Sequence, residues 1–189
     1  MFGLVLSLIS AYLIGSSLLK LLLKKELWGE KLLIASITPV FGLGVTSVLY
    51  FLWILTFKGN NSLYPLIETI VAIFLAIFAF RKDVRQISFP KFNIHSLALL
   101  SICIYALIIF ILLTIKEPYG SWDGLRLWNT SAKFMNAGDN NWLNMFKLGT
   151  PLAHPDYPLL LPGINARMWN FLGNENIYMG YFDPSVGYD

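Results

Sequence analysis

The chain has 189 residues, 56% of them hydrophobic and 13% charged, with a formal net charge of +3 and a mean hydropathy of +0.61. A soluble domain is nearer half apolar and a quarter charged, and here the apolar excess is gathered into runs long enough to cross a bilayer core of about 30 Å as helices. A lone cysteine, Cys103, excludes an internal disulfide, two histidines far apart give no zinc-ligand spacing, and no nucleic-acid partner is expected.

The first apolar run goes from Phe2 to Leu19. It has no charged n-region and no small-residue cleavage site after it, so it reads as a retained span and not as a signal peptide. The second runs from Leu32 to Phe57 and contains Pro39, Gly42 and Gly44, which favour a kink or close helix contact over a straight rod. The third runs from Leu63 to Phe80 and the fourth from Ser96 to Ile115. Lys20, Lys24, Lys25 and Lys31 flank the first connection, and Arg81, Lys82, Arg85 and Lys91 flank the third. The connection between them, 58–62, carries only Lys58. Short loops rich in Lys and Arg stay cytoplasmic, which puts the N-terminus and everything after Ile115 outside.

Glu68 lies within the third run, about one and a half turns from its outer end. An ionisable residue in a span is a functional candidate, but at that depth a side chain also reaches the interface. His95 marks the inner boundary of the fourth run. Tyr50, Trp53, Tyr64 and Tyr119 lie near the outer boundary, where an aromatic belt accounts for them.

After the fourth run the composition turns to Trp, Asp, Asn, Gly and His. Pro118 and Gly120 mark a turn, and Ser121 or Asp123 caps a helix expected to run to about Ala137 and to end at Gly138. Trp122, Leu125, Trp128, Ala132 and Met135 recur at helical spacing, with Arg126, Asn129 and Lys133 off that face. Such a helix lies flat on the outer surface or packs on the spans. Asp123 is then either a helix cap or a carboxylate at the lip of a membrane cavity. The segment from His154 to Pro162 holds three prolines, which favour an extended or turning path and carry His154, Asp156 and Tyr157. From Leu159 to Leu172 the chain resembles the start of a fifth span, interrupted by Asn165, Arg167 and Asn170. Arg167 is read as an interface anchor or as the holder of an anion in a cavity.

The residues Gly120-Ser121-Trp122-Asp123, then Trp128 and Ala132-Lys133-Phe134, then His154-Pro155-Asp156-Tyr157-Pro158-Leu159-Leu160-Leu161-Pro162 resemble the outer loop of bacterial polytopic glycosyltransferases of the GT-C fold. These are relatives of protein O-mannosyltransferases and aminoarabinose transferases. The resemblance covers roughly 117–173. It implies inverting transfer of a sugar from a polyprenyl-phosphate donor to an acceptor hydroxyl at the outer face of a bacterial plasma membrane. It also implies Asp123 as the base or orienter of the acceptor, and Asp156 as the acidic position of the second motif with Tyr157 as its aromatic neighbour. His154, Arg126 and Arg167 are candidate partners of the phosphate leaving group. Two departures stand out: Gly124 follows Asp123 where many relatives carry a second acid, and Arg126 replaces a small or aromatic residue. No metal or cofactor is expected.

The expected architecture is all-α: four spans over 1–115, an outer loop with an amphipathic interfacial helix over 116–158, and a partial fifth span with a polar tail over 159–189. That tail reads as a truncated end, so the chain is expected to be the N-terminal part of a transferase. The competing readings are a non-catalytic accessory or scaffold subunit and a transporter module. The transporter module needs paired broken helices and mid-depth polar residues that are scarce here.

Overall fold

A computed structural model describes residues 2–23, 31–81, 94–116, 128–137, 141–146 and 158–173. Among them the elements are all helical: α1 (Phe2–Leu22), α2 (Lys31–Phe57), α3 (Tyr64–Phe80), α4 (Ile94–Lys116), α5 (Thr130–Asn136), a 3-10 turn at Asn141–Phe146, and α6 (Leu160–Leu172). The four apolar runs become α1 to α4 within a few residues of the expected bounds. Two of these helices, α1 and α2, are long and apolar enough to cross a membrane. The 17 residues of α3 span about 25 Å, and α4 is a 23-residue helix.

The helices pack inside out relative to a soluble bundle. Ser7, Ser10, Ser17, Thr38, Thr46 and Ser47 are buried, while Phe2, Leu22, Val40, Phe74 and Ile77 lie at the surface. Small residues let helix backbones approach closely, and that approach replaces the burial of large side chains. Three of the buried hydroxyls find an acceptor in their own helix. Thr38 Oγ1 donates to the Ile34 carbonyl at 2.7 Å, Thr46 Oγ1 to Gly42 at 2.8 Å and Ser17 Oγ to Leu13 at 2.6 Å. This one-turn back-bonding satisfies the hydroxyls within their own helices.

α1 occupies the centre, packed against α2, α3 and α6. Its closest approach to α2 is at Gly15 and Gly42. A Cβ on Gly15 would stand 2.7 Å from the Thr38 carbonyl oxygen, and one on Gly42 would overlap the Ala11 carbonyl. Close helix contact, not accommodation of a side chain, therefore explains Gly42. Gly44 is different: a Cβ there meets open space.

α2 ends in a tight turn in which Lys58 (φ 52°) and Gly59 (φ 81°) are left-handed, and the Gly59 amide donates to the Ile54 carbonyl at 3.1 Å. At this same end of the bundle, α5, the 3-10 turn and α6 form a cap. Asn61 Nδ2, in the α2–α3 connection, donates to the Met135 carbonyl of α5 at 3.3 Å. The expected helix face is met in part: Ala132 and Met135 are fully buried, but Trp128 is half-buried and Asn129, expected off that face, is buried. The first part of that helix, with Trp122, Leu125 and Arg126, lies outside the described residues.

Two expectations need correction. Tyr50 and Tyr64 are not exposed belt residues. They are buried, with ring centroids 4.9 Å apart and edge to face, because the cap folds over them and brings Trp142, Trp169 and Phe171 into the same cluster. Tyr119 lies outside the described residues. Nor is Leu159 to Leu172 the entry of a fifth span. α6 has 13 residues, about 20 Å, and ends at Gly173 in a left-handed conformation (φ 72°). It also runs in the opposite sense to an entering span. Ser47, ten residues and about 15 Å below the end of α2, donates its hydroxyl to the Leu160 carbonyl at 2.7 Å. At its other end, Phe171 meets Tyr64 at the start of α3, and its carbonyl lies against Gly3 at the start of α1. α6 therefore begins beside the middle of α2 and ends level with the starts of α1 and α3. Pro162 is tolerated in its first turn, where an amide has no intrahelical partner to lose.

The close contact at Gly42 gives a paired expectation. Gly42→Ala lowers the detergent melting temperature, at a cost of about 1–3 kcal/mol from overpacking. Gly44→Ala leaves it unchanged or raises it, since helix propensity favours Ala by about 1 kcal/mol. Equal melting temperatures for the two variants would contradict the assigned interface.

Candidate functional site

Of the residues expected to carry chemistry, Asp123, Arg126, His154, Asp156 and Tyr157 lie outside the described residues; Arg167 is described. It sits in the second turn of α6 and is fully buried, as is all but 4% of Glu68 on α3.

The two form a bidentate ion pair. Arg167 Nε donates to Glu68 Oε2 at 2.7 Å and Nη2 donates to Oε1 at 2.5 Å. The remaining guanidinium directions point to α1: Nη1 donates to Ser7 Oγ at 3.0 Å, and Nη2 to the Ser7 carbonyl at 2.7 Å and to Ser10 Oγ at 2.8 Å. Ser10 Oγ, whose single proton has two acceptors in reach, lies 2.5 Å from Glu68 Oε1 and 3.0 Å from the Ser7 carbonyl. The guanidinium carbon also stands 5.0 Å over the Phe171 ring.

Sequence position builds this site simply. Ser7 and Ser10 are three residues apart, so both face one way from α1. Glu68 comes level with them because α1 and α3 run parallel, both starting at the end where Phe171 lies, and Arg167 follows one turn after Gly163, which packs against the Ser47 hydroxyl. Arg167 does hold an anion, and that anion is the protein's own Glu68. Neither charge reaches the interface. Each alone was legible as an ionisable residue in an apolar segment. The signal for pairing them was that a buried acid and a buried base of opposite sign each require a partner. Ser7 and Ser10 gave a weaker signal, two hydroxyls one turn apart in an otherwise aliphatic helix.

Nε, Nη2 and one Nη1 N–H of the guanidinium are thus engaged within the protein. The cluster therefore ties α1, α3 and α6 together. Among the described residues no group of three or more His, Cys, Asp or Glu side chains is placed to hold a metal ion. An apolar cleft of about 360 Å³ opens beside α2, lined by Phe41, Gly44, Val45, Val48, Leu49 and Leu160, and its lining offers no polar side chain for chemistry.

A second polar contact joins the segments that follow the two loop motifs. Asn165 Nδ2 of α6 donates to Asn129 Oδ1, just before α5, at 3.0 Å. Asn129 is six residues after Asp123, and α6 begins four residues after Asp156. No protein-family model, curated protein or solved structure matches the chain.

Removing one partner of a buried pair strands the other in an apolar interior, which costs about 3–5 kcal/mol. Arg167→Met is accordingly expected to lower the detergent melting temperature sharply. Arg167→Lys should be intermediate, because an ammonium keeps the charge but cannot make the bidentate contact. Melting curves for all three proteins test this, and a parental melting temperature for Arg167→Met would contradict it.

Proposed function

We propose that the chain belongs to a polytopic membrane glycosyltransferase. It moves a sugar from a polyprenyl-phosphate donor to an acceptor hydroxyl at the outer face of a bacterial plasma membrane. The reading rests on the two loop motifs, and the observation that carries it is the Asn129–Asn165 contact. That contact joins the chain six residues after Asp123 to the chain nine residues after Asp156, which supports a site drawing on both motifs. Asp123 would accept the acceptor hydroxyl's proton as that oxygen attacks the anomeric carbon, and the phosphate leaves with the bonding pair. Asp156 and Tyr157 would position the sugar. His154 and Arg126 are left to meet the phosphate charge, since Arg167 is already engaged by Glu68.

The membrane topology belongs to the same proposal: four spans, α1 to α4, with the N-terminus and the segment after α4 outside. Three observations support it. The surfaces of α3 and α4 carry exposed Phe74, Ile77, Leu112 and Leu113. Lys and Arg cluster at the first and third connections. The 58–62 connection touches α5, which fits both being on one side.

The alternative, a non-catalytic accessory or scaffold subunit, draws on one observation: the described buried charges are spent on packing. A chromosomal Asp123→Asn substitution separates the two. A transferase predicts accumulation of the lipid-linked sugar donor to the level of a gene deletion, with Asp156→Asn also raising it. If deletion causes accumulation and Asp123→Asn does not, Asp123 is not the base. If deletion leaves the lipid-linked sugars unchanged, the transferase reading fails. For topology, Asn60→Cys in a Cys103→Ser background should react with an impermeant maleimide added to intact cells, while Lys24→Cys should not.

A further inference from the structure

What α6 covers is unusual for the interior of an apolar bundle. Beneath it α1, α2 and α3 present Ser7, Ser10, Ser47 and Glu68, small or polar residues beside Tyr50 and Tyr64 of the aromatic cluster. α6 fills this slot with Gly163 against Ser47 and Arg167 against Glu68. The helix itself is short, has no side-chain cap at either end, and carries Asn165, Arg167 and Asn170 among its apolar residues. Lying flat in a membrane interface, a helix of that length would place Arg167 against lipid phosphates. Ser7, Ser10, Ser47 and Glu68 also lose less on exposure to water than apolar residues would. Conversely, the α1–α2 contact at Gly15 and Gly42 and the back-bonded hydroxyls of α1 and α2 do not involve α6.

We propose that α6 is a detachable plug with two positions, in the slot or at the membrane interface, and that breaking the Glu68–Arg167 pair tips the balance toward the interface. Release separates the pair and leaves the α1–α2–α3 bundle intact. This two-position element stands independently of the reaction assigned above.

The geometry provides its own reporter. A Cβ built on Gly163 lies 3.5 Å from the Ser47 Cβ, within the range that a disulfide spans. In the full chain with Cys103→Ser, the Ser47→Cys/Gly163→Cys pair should cross-link rapidly in native membranes under mild oxidation. Adding Glu68→Gln should slow cross-linking at least fivefold, and the charge reversal Glu68→Arg/Arg167→Glu should recover most of the rate. Separately, Ala11→Cys in the α1–α2 contact reports the bundle and should stay protected from a thiol reagent in the Glu68→Gln background. An unchanged cross-linking rate in Glu68→Gln would overturn the proposal, because α6 would then be held without the pair. Labelling of Ala11→Cys in that background would overturn it as well, because the pair would then hold the whole bundle and not the plug.

Discussion

A guanidinium and a carboxylate buried in an apolar bundle fix the arrangement of everything around them. Neither ion is tolerable there alone, and the pair is tolerable only when its remaining hydrogen-bonding capacity is filled. Arg167 and Glu68 fill most of that capacity by recruiting Ser7 and Ser10. The consequence is a contact among three helices that are distant in sequence, and it sets both the depth and the rotation of α6. With Arg167 facing α1 and α3, Trp169 and Phe171 are carried into the aromatic cluster over Tyr50 and Tyr64.

The rest of the bundle is held by a different kind of force. α1 and α2 pack through Gly15, Ala11 and Gly42 at near backbone contact, with large aliphatic side chains turned outward. Dispersion between closely packed backbones acts there without help from burial of large side chains. Such an interface is tolerant of polarity so long as each hydroxyl bonds back into its own helix, as Thr38, Thr46 and Ser17 do. The slot under α6 is the place where hydroxyls serve a partner outside their own helix, and this distinguishes it from the ordinary small-residue contacts.

How much of this the sequence carried differs by element. The four long apolar runs were legible because span length is a property of local composition, and the bounds at Phe57 and Phe80 match residue for residue. The apolar face through Ala132 and Met135 was legible from periodicity. The direction of α6 was not. Leu159 to Leu172 is apolar enough to start a span, and only the contacts of Leu160 with Ser47 and of Phe171 with Gly3 reveal that it points back out. Tyr50 and Tyr64 were misread for a related reason, since outer-boundary aromatics look alike whether lipid or a folded cap covers them. Glu68 and Arg167 were each recognised as exceptional, but 99 residues separate them and nothing local announces a pair. Asp123 and Asp156, on which the catalytic reading depends, lie outside the described residues, and their motifs rest on the sequence.

The central claim is that Glu68 and Arg167 act as one unit, and a double-mutant cycle measures that directly. Glu68→Gln, Arg167→Gln and the double variant would be compared with the parent by equilibrium unfolding in one detergent. If the two act as one unit, each single change is costly and the second adds little to the first, a coupling of about 2 kcal/mol or more. Additive costs, within about 0.5 kcal/mol, would mean that the two side chains do not depend on each other, and the account built on them would fall.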